Sequence, residues 1–149
     1  MPFKSKIKGS TFERDATDLL NRLIRNSRFV RVPSSGAMGT IMSEPLLMSD
    51  IKGKVESINK PFRIEAKVGY NSSTDKEVKQ FTLKKEWLDK VKLEADSSYS
   101  IPMLIGKFSG ARDGTKVFVV LDLGVFCEII NRTTELYEEV LEYERRKME

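Results

Sequence analysis

Residues 62 to 68 alternate between apolar and charged side chains, and this alternation constrains the fold more than any other stretch of the chain. The apolar positions are Phe62, Ile64, Ala66 and Val68, and the charged positions between them are Arg63, Glu65 and Lys67. Successive side chains of a β-strand point to opposite faces of its sheet. The pattern therefore predicts a strand, from Phe62 to Tyr70, with one packed face and one charged face.

A second strand with the same two-sided pattern is predicted just before it, from Ser49 to Val55. A hairpin through residues 57–61 is the simplest connection between the two strands. The apolar face of the earlier strand carries Ile51, Gly53 and Val55, and its polar face carries Asp50, Lys52 and Lys54. Pairing the two strands gathers Asp50, Glu65 and Lys67 on one face.

The remaining patterns predict an α/β fold with a central mixed sheet of about five strands, flanked by helices. A helix from Thr11 to Asn26, with Ser10 as its N-cap, follows from apolar side chains that recur every three or four residues. The other predicted elements are a strand at Phe29–Val32, a loop from Pro33 to about Met48, a sheet-covering helix capped by Thr82 with Leu83, Trp87, Leu88 and Val91 on its apolar side, strands at Ser100–Phe108 and Lys116–Val125, and a helix from about Thr134.

A chain of 149 residues with 40% hydrophobic composition has the size of one domain, which we predict to span residues 1–149. Residues 1–9, with lysines at 4, 6 and 8, are predicted to form a flexible basic arm, and residues 133–149 a C-terminal helix. Residues 1–132 carry 23 basic and 16 acidic side chains, against 3 and 6 in residues 133–149. A basic body suits a polyanion such as DNA, although solvated lysines give the same balance.

The absence of histidine excludes Ser-His-Asp triads, Cys-His pairs and most zinc sites. The single cysteine, Cys127, excludes an internal disulfide framework, and its apolar neighbours predict that it is buried. We expect neither a membrane span nor a signal peptide, and therefore a soluble, cytoplasmic protein. Any catalysis is left to carboxylates, lysine and a hard metal ion.

Asp50, Glu65 and Lys67 suit a divalent cation beside a phosphodiester. Two close carboxylates resist joint ionisation, whereas Mg²⁺ or Mn²⁺ between them removes that penalty and leaves positions for water and phosphate oxygens. Lys67 follows Glu65 on the same face, about 6 to 7 Å along the strand, where it can orient the attacking water. The Ala66 carbonyl is a further candidate ligand. The alternative is a solvated ion pair between Glu65 and Lys67.

Glu13 and two arginines are candidates with alternatives. Glu13 either completes the metal shell through water or returns to the Ser10 amide in a capping box. Arg14 and Arg31 either clamp phosphates through bidentate hydrogen bonds or are solvated.

Four segments, taken in order and with their spacing, resemble the archaeal-type Holliday junction resolvases of the PD-(D/E)xK nuclease superfamily. They are Lys8–Arg14, Phe29–Gly36, Ser49–Ile51 and Ile64–Lys67. The resemblance implies a homodimeric endonuclease that nicks four-way DNA junctions in pairs with Mg²⁺, for which Mn²⁺ substitutes, and with no other cofactor. A two-fold dimer agrees with the two symmetric cuts that resolution requires.

The resemblance also implies residue roles. It assigns catalysis to Glu13, Asp50, Glu65 and Lys67, metal binding to Asp50, Glu65, Ala66 and Glu13, and DNA contacts to Lys8, Ser10, Arg14, Arg31, Ser34 and Ser35. Two departures are the absence of a proline in Ser49-Asp50 and a methionine-rich loop from Met38 to Met48. The alternatives are a related nuclease that cuts other branched or linear DNA, and a DNA-binding module without catalysis.

Overall fold

The structure is a computed structural model that describes residues 2–32, 50–69 and 77–149, with side chains from residue 9 onward. The helices and strands of these residues are α1 (Pro2–Leu23), β1 (Ser27–Arg31), β2 (Ile51–Val55), β3 (Ile58–Gly69), α2 (Lys85–Ser97), β4 (Ile101–Phe108), β5 (Val117–Val120) and α3 (Leu123–Lys147). No helix within the described ranges is long and apolar enough to cross a membrane.

The five described strands form one sheet in the order β1-β2-β3-β4-β5. All neighbouring pairs are antiparallel except β3 and β4, which run parallel. Parallel neighbours need a long crossover, and α2 lies on the one that joins β3 to β4. The α/β fold with a mixed sheet of about five strands, flanked by helices, is therefore confirmed.

Strand β3 is buried on both of its faces. Phe62 and Ile64 join the main core, where α1 contributes Phe12 and Ala16. Arg63 and Glu65 face the other way and are nevertheless buried, because α2 packs over that side of β3 and β4. The alternation in the sequence thus places a charged strand face beneath a helix.

Helix α1 begins earlier and ends earlier than the sequence pattern predicts. It starts at Pro2 instead of Thr11, so Ser10 lies inside the helix and the capping interpretation is wrong. Proline is tolerated in a first helical turn and lysine is a good helix former, so residues 2–9 extend the helix and do not form the arm that was expected. Asn26 has a φ of 54°, which ends the helical path before β1.

The last two helices also differ from expectation at their starts. Lys84, and not Thr82, precedes α2, and it makes no side-chain capping bond. Asp122 caps α3 by accepting a hydrogen bond from the Gly124 N–H at 2.9 Å. This cap explains why β5 ends at Val120 and the helix starts at Leu123, well before Thr134. Cys127 lies on this helix and is exposed, so its predicted burial is wrong.

Candidate active site

The pairing of β2 with β3 sets Asp50 against Glu65. Ile51 pairs with Ile64 in the antiparallel register, and Asp50 directly precedes β2. The Asp50 Oδ2 atom accepts a hydrogen bond of 2.9 Å from the Ala66 backbone N–H. This bond holds the Asp50 carboxylate against β3 beside Glu65, as the hairpin prediction requires.

Glu65 is the most perturbed titratable group of the described residues. It is 4% exposed, and its Oε2 atom has no hydrogen-bond partner among them. Burial, and then the charge of Asp50, raise the pKa of Glu65 to about 7, although Lys90 and Lys67 act in the opposite direction. Desolvation and a neighbouring like charge both disfavour an ionised carboxylate. The site therefore carries negative charge that is only partly compensated.

Lys67 lies between Glu65 and an aromatic ring. Its Nζ atom is 3.4 Å from Glu65 Oε1 and 4.9 Å from the centroid of the Trp87 ring. Trp87 packs edge-on against Phe81, at 6.1 Å between ring centroids, and Phe81 packs in turn against Phe118 at 4.9 Å. These contacts fix the ring beneath the ammonium, and cation–π attraction then restricts where the flexible lysine points.

Glu13 reaches the site from α1 with Arg31 as its partner. Arg31 Nε donates to Glu13 Oε2 at 2.8 Å, and Arg31 Nη2 donates to Ser10 Oγ at 2.6 Å. Burial raises the pKa of Glu13 against the lowering effect of Arg31, and the charge of Asp50 adds to the increase. The Glu13 side chain thus binds an arginine instead of forming the predicted capping box.

The remaining predicted DNA contacts are only partly placed. Arg14 is exposed on α1, and Lys8 lies in the same helix. Ser34 and Ser35 lie outside the described residues, as does the loop predicted from Pro33 to Met48. The structure therefore brings together Glu13, Asp50, Glu65 and Lys67, with Ser10 and Arg31 beside Glu13.

Helix α2 contributes side chains that the sequence analysis did not assign to the site. Lys90 Nζ is 3.8 Å from Glu65 Oε1 and 3.7 Å from Glu94 Oε1. Glu94 is 5% exposed, and neither of its carboxylate oxygens has a hydrogen-bond partner among the described residues. Burial raises the pKa of Glu94, which Lys90 partly offsets. Burial also lowers the pKa of Arg63, on β3, against the charge of Glu94.

A signal for these residues is present in the sequence. Trp87, Lys90 and Glu94 are spaced by three and four residues and therefore share one helix face. Glu94 also lies within the buried stripe of the helix, between Val91 and Ala95. A Lys–Glu pair four residues apart is usually solvated, so only the apolar neighbours of Glu94 distinguish this pair.

The donor set fits a hard divalent cation. Asp50 and Glu65 supply two neighbouring carboxylates, and the buried Glu65 Oε2 lacks a hydrogen-bond donor within the described ranges. No group of three or more carboxylate or thiol side chains in those ranges is close enough to hold a metal ion unaided. Mg²⁺ is commonly bound through one or two carboxylates and completes its shell with water and substrate phosphate. Two carboxylates therefore suffice for such a site.

Comparisons with known proteins identify relatives of this chain. Residues 4–149 match the model of a family described as "Phage putative PDDEXK endonuclease". No curated protein matches the chain. One matching solved structure is that of Hjc, a Holliday junction resolvase from the archaeal hyperthermophile Archaeoglobus fulgidus, which is 18% identical with a TM-score of 0.44. The match covers 79% of this chain and 86% of that one.

Proposed function

The chain belongs to the phage family of PDDEXK endonucleases, and we propose that it resolves four-way DNA junctions by paired, metal-dependent hydrolysis of phosphodiester bonds. The observation that supports the chemistry best is the buried pair of Asp50 and Glu65 with Lys67 beside it. The choice of four-way junctions as the substrate is supported by the resemblance of four segments between residues 8 and 70 to the Holliday junction resolvases. The family match identifies the chain as a PD-(D/E)xK endonuclease, and membership of this family implies that the substrate is DNA.

Asp50 and Glu65, with the Ala66 carbonyl, are the residues that would hold the metal ion. Mg²⁺, or Mn²⁺ in its place, would supply Lewis-acid stabilisation of the phosphate charge and would lower the pKa of bound water. The hydrogen bond from the Ala66 N–H orients the Asp50 carboxylate towards β3. Glu13 lies near this pair, and any contribution that it makes to the metal shell would be through a water molecule.

Lys67 is the residue that would act on the reacting atoms. In the hydrolysis, a water oxygen forms a bond to phosphorus while the bond from phosphorus to one sugar oxygen breaks. The Lys67 ammonium, held between Glu65 and the Trp87 ring, donates to the water or to the phosphate oxygens whose charge increases. The attacking water loses its proton to the surrounding water, and the departing sugar oxygen takes a proton from the surrounding water, so the two transfers balance.

The described part of α1 and β1 offers DNA contacts beside this centre. Arg31 uses its Nε and Nη2 donors on Glu13 and Ser10, so its guanidinium is fixed and only part of its donor set remains for phosphate. Arg14 is exposed on α1, which also carries Ser10 and Glu13, and Lys8 lies two residues before Ser10. We include Ser34 and Ser35 in the proposal on the resemblance alone.

A homodimer is the proposed assembly. One chain contributes one carboxylate pair, whereas symmetric cleavage of two junction strands requires two such centres related by two-fold symmetry. Sedimentation of the protein with and without a four-way junction would test this proposal. A single chain bound per junction would contradict it.

The function is tested on an end-labelled four-way junction and a linear duplex of matched sequence, each incubated in Mg²⁺, Mn²⁺ or EDTA. Paired symmetric nicks in the junction only, with either metal and never in EDTA, are the expected result. Equal cutting of the duplex would indicate a broader nuclease. An absence of metal-dependent cutting would contradict the proposed chemistry and favour a DNA-binding module. Glu65→Gln is the control for a contaminating nuclease.

A further inference from the structure

One face of α2 lies over the catalytic side of β3 and carries three side chains in contact with one another or with the site. Trp87 lies against Lys67, and Lys90 lies between Glu65 and Glu94. In the proposed function Trp87 orients Lys67, whereas Lys90 and Glu94 have no role. Lys90 and Glu94 therefore require a separate explanation.

Lys90 has the position of a second cation at the site. Glu65 Oε1 has the Lys67 ammonium at 3.4 Å on one side and the Lys90 ammonium at 3.8 Å. The Lys90 side chain is 48% exposed, whereas Glu65 beneath it is buried. A phosphodiester placed against Glu65 is therefore within reach of both ammonium groups, since lysine is a flexible point charge with three donors.

Glu94 is a buried partner of Lys90 within α2. Both of its carboxylate oxygens are buried without a hydrogen-bond partner in the described residues, and Lys90 Nζ is 3.7 Å from Oε1. A buried carboxylate is costly unless a cation compensates it. Two cations act on Glu94, the buried Arg63 of β3 and the half-exposed Lys90. Lys90 is the one of the two that DNA could reach, and its pairing with Glu94 keeps the ammonium near Glu65.

We infer that Lys90 is a second phosphate-binding lysine of the site and that Glu94 positions it there. The alternative is that Lys90 only neutralises two buried carboxylates and never contacts DNA. The inference rests on the proposed nuclease function for its substrate class. It does not depend on junction selectivity, because a phosphate contact is made by linear and branched DNA alike.

The first experiment measures DNA binding as a function of salt, in an Asp50→Asn background that cannot cleave. Lys90→Met is compared with Lys92→Met, which removes the same charge from another, exposed face of α2. Loss of one phosphate contact reduces the slope of log K against log[salt] by about 0.9. We expect this reduction for Lys90→Met, on both linear duplex and junction, and an unchanged slope for Lys92→Met and for Lys90→Arg.

The slope distinguishes a contact from a loss of folding. A smaller folded fraction lowers the affinity at every salt concentration without changing the slope. Equal slopes for Lys90→Met and the unmutated position would overturn the inference, even if Lys90→Met melts at a lower temperature. Binding slopes are measurable whether or not the protein cuts junctions, so failure here is distinct from failure of the proposed function.

A second experiment tests the positioning role of Glu94 in the cleaving enzyme. Glu94→Gln keeps the shape of the side chain and removes its charge, and we expect a single-turnover rate about fivefold lower. When Lys90 is already methionine, Glu94→Gln is expected to add no further loss, because the group that it positions is absent. An equal loss in both backgrounds would show that Glu94 acts independently of Lys90 and would overturn its assignment.

Discussion

The catalytic cluster and the distal part of α3 reverse the usual placement of polar and apolar side chains. The catalytic cluster, which we name for its proposed role, is Asp50, Glu65, Lys67, Lys90 and Glu94, and its two glutamates are almost fully buried. The distal part of α3 is residues 133–147, and its large apolar side chains are exposed. These side chains are Leu136, Tyr137, Val140, Leu141 and Tyr143.

The two regions also differ in how they are attached to the rest of the protein. The catalytic cluster contains an ion pair that joins two elements, between Lys90 of α2 and Glu65 of β3. The start of α3 docks through Val125 and through an ion pair of 3.0 Å between Lys60 and Glu128. Among the described residues, the hydrogen bonds and ion pairs of the distal part of α3 all stay within that helix.

This difference between the two regions indicates which side chains lower the stability of the folded protein and serve function instead. Buried, incompletely paired carboxylates destabilise the folded state, and they persist where a ligand compensates them. Exposed apolar side chains on a helix contribute little to folding of the single chain. Substitutions in the catalytic cluster should therefore change chemistry and pH dependence, whereas those in the distal part of α3 should leave both unchanged.

The largest expected effect is the loss of cleavage from a single amide substitution in the catalytic cluster. Asp50→Asn and Glu65→Gln each remove a charge that we propose binds the metal ion, and we expect single-turnover rates at least about 1,000-fold lower, or roughly 4 kcal/mol of transition-state stabilisation. DNA affinity should stay within a few-fold. Glu138→Gln, an exposed carboxylate in the distal part of α3, is the matched control. A comparable loss in the control would remove the distinction between the two regions.

The next effect concerns the stability of the metal-free protein as pH changes. The pKa of Glu65 is raised from 4.5 to about 7, so the folded state binds this proton more strongly than the unfolded state does. The contribution of Glu65 to stability is therefore lost as pH rises from about 4.5 to about 7, and this contribution is constant above that. Glu65→Gln should be more stable than the parent protein by roughly 3 kcal/mol at pH 8, and the difference should disappear towards pH 4.

Urea denaturation in EDTA at a series of pH values measures this dependence. Glu138→Gln is again the matched control, since it replaces an exposed carboxylate of the same type. A parent protein whose stability did not change between pH 4.5 and pH 7 relative to Glu65→Gln would contradict the burial of an uncompensated charge at Glu65.

A smaller effect is expected at the aromatic ring beside Lys67. Trp87→Leu keeps an apolar side chain in the aromatic cluster but removes the π-face, and cation–π attraction is worth about 1 to 2 kcal/mol when partly desolvated. We expect a cleavage rate about tenfold lower at saturating DNA, with binding little changed. Trp87→Phe should retain much of the rate. Equal losses for phenylalanine and leucine would show that the ring acts through packing and not on the ammonium.

The features of the fold and the site that were predictable from the sequence are those that depend on residues close to one another in the chain. Alternation from Phe62 to Val68 is local, and so is the pairing that sets Asp50 against Glu65. By contrast, the burial of Glu94 depends on how α2 crosses β3 and β4, which no local pattern encodes. Glu13 illustrates the same limit: its spacing from Ser10 matches a capping box, whereas its partner, Arg31, lies 18 residues away. The start of α3 was missed because Leu121, Leu123 and Val125 continue an alternating, strand-like pattern beyond β5, and the Asp122 cap marks the change to a helix.

The smallest effect on the free energy of unfolding is expected for a substitution in the distal part of α3. Two valines of this helix are compared to measure it. Val125 is 7% exposed and belongs to the main core, whereas Val140 is 51% exposed. Val125→Ala removes two buried methyl groups and should cost about 1 to 2 kcal/mol in urea denaturation. Val140→Ala should change the free energy of unfolding by less than about 0.5 kcal/mol. Measured over a range of protein concentrations, a cost at Val140 that grows with concentration would mean that a second copy covers this surface in solution. The exposed stripe would then be part of the proposed dimer, and the contrast with the catalytic cluster would hold only for the single chain.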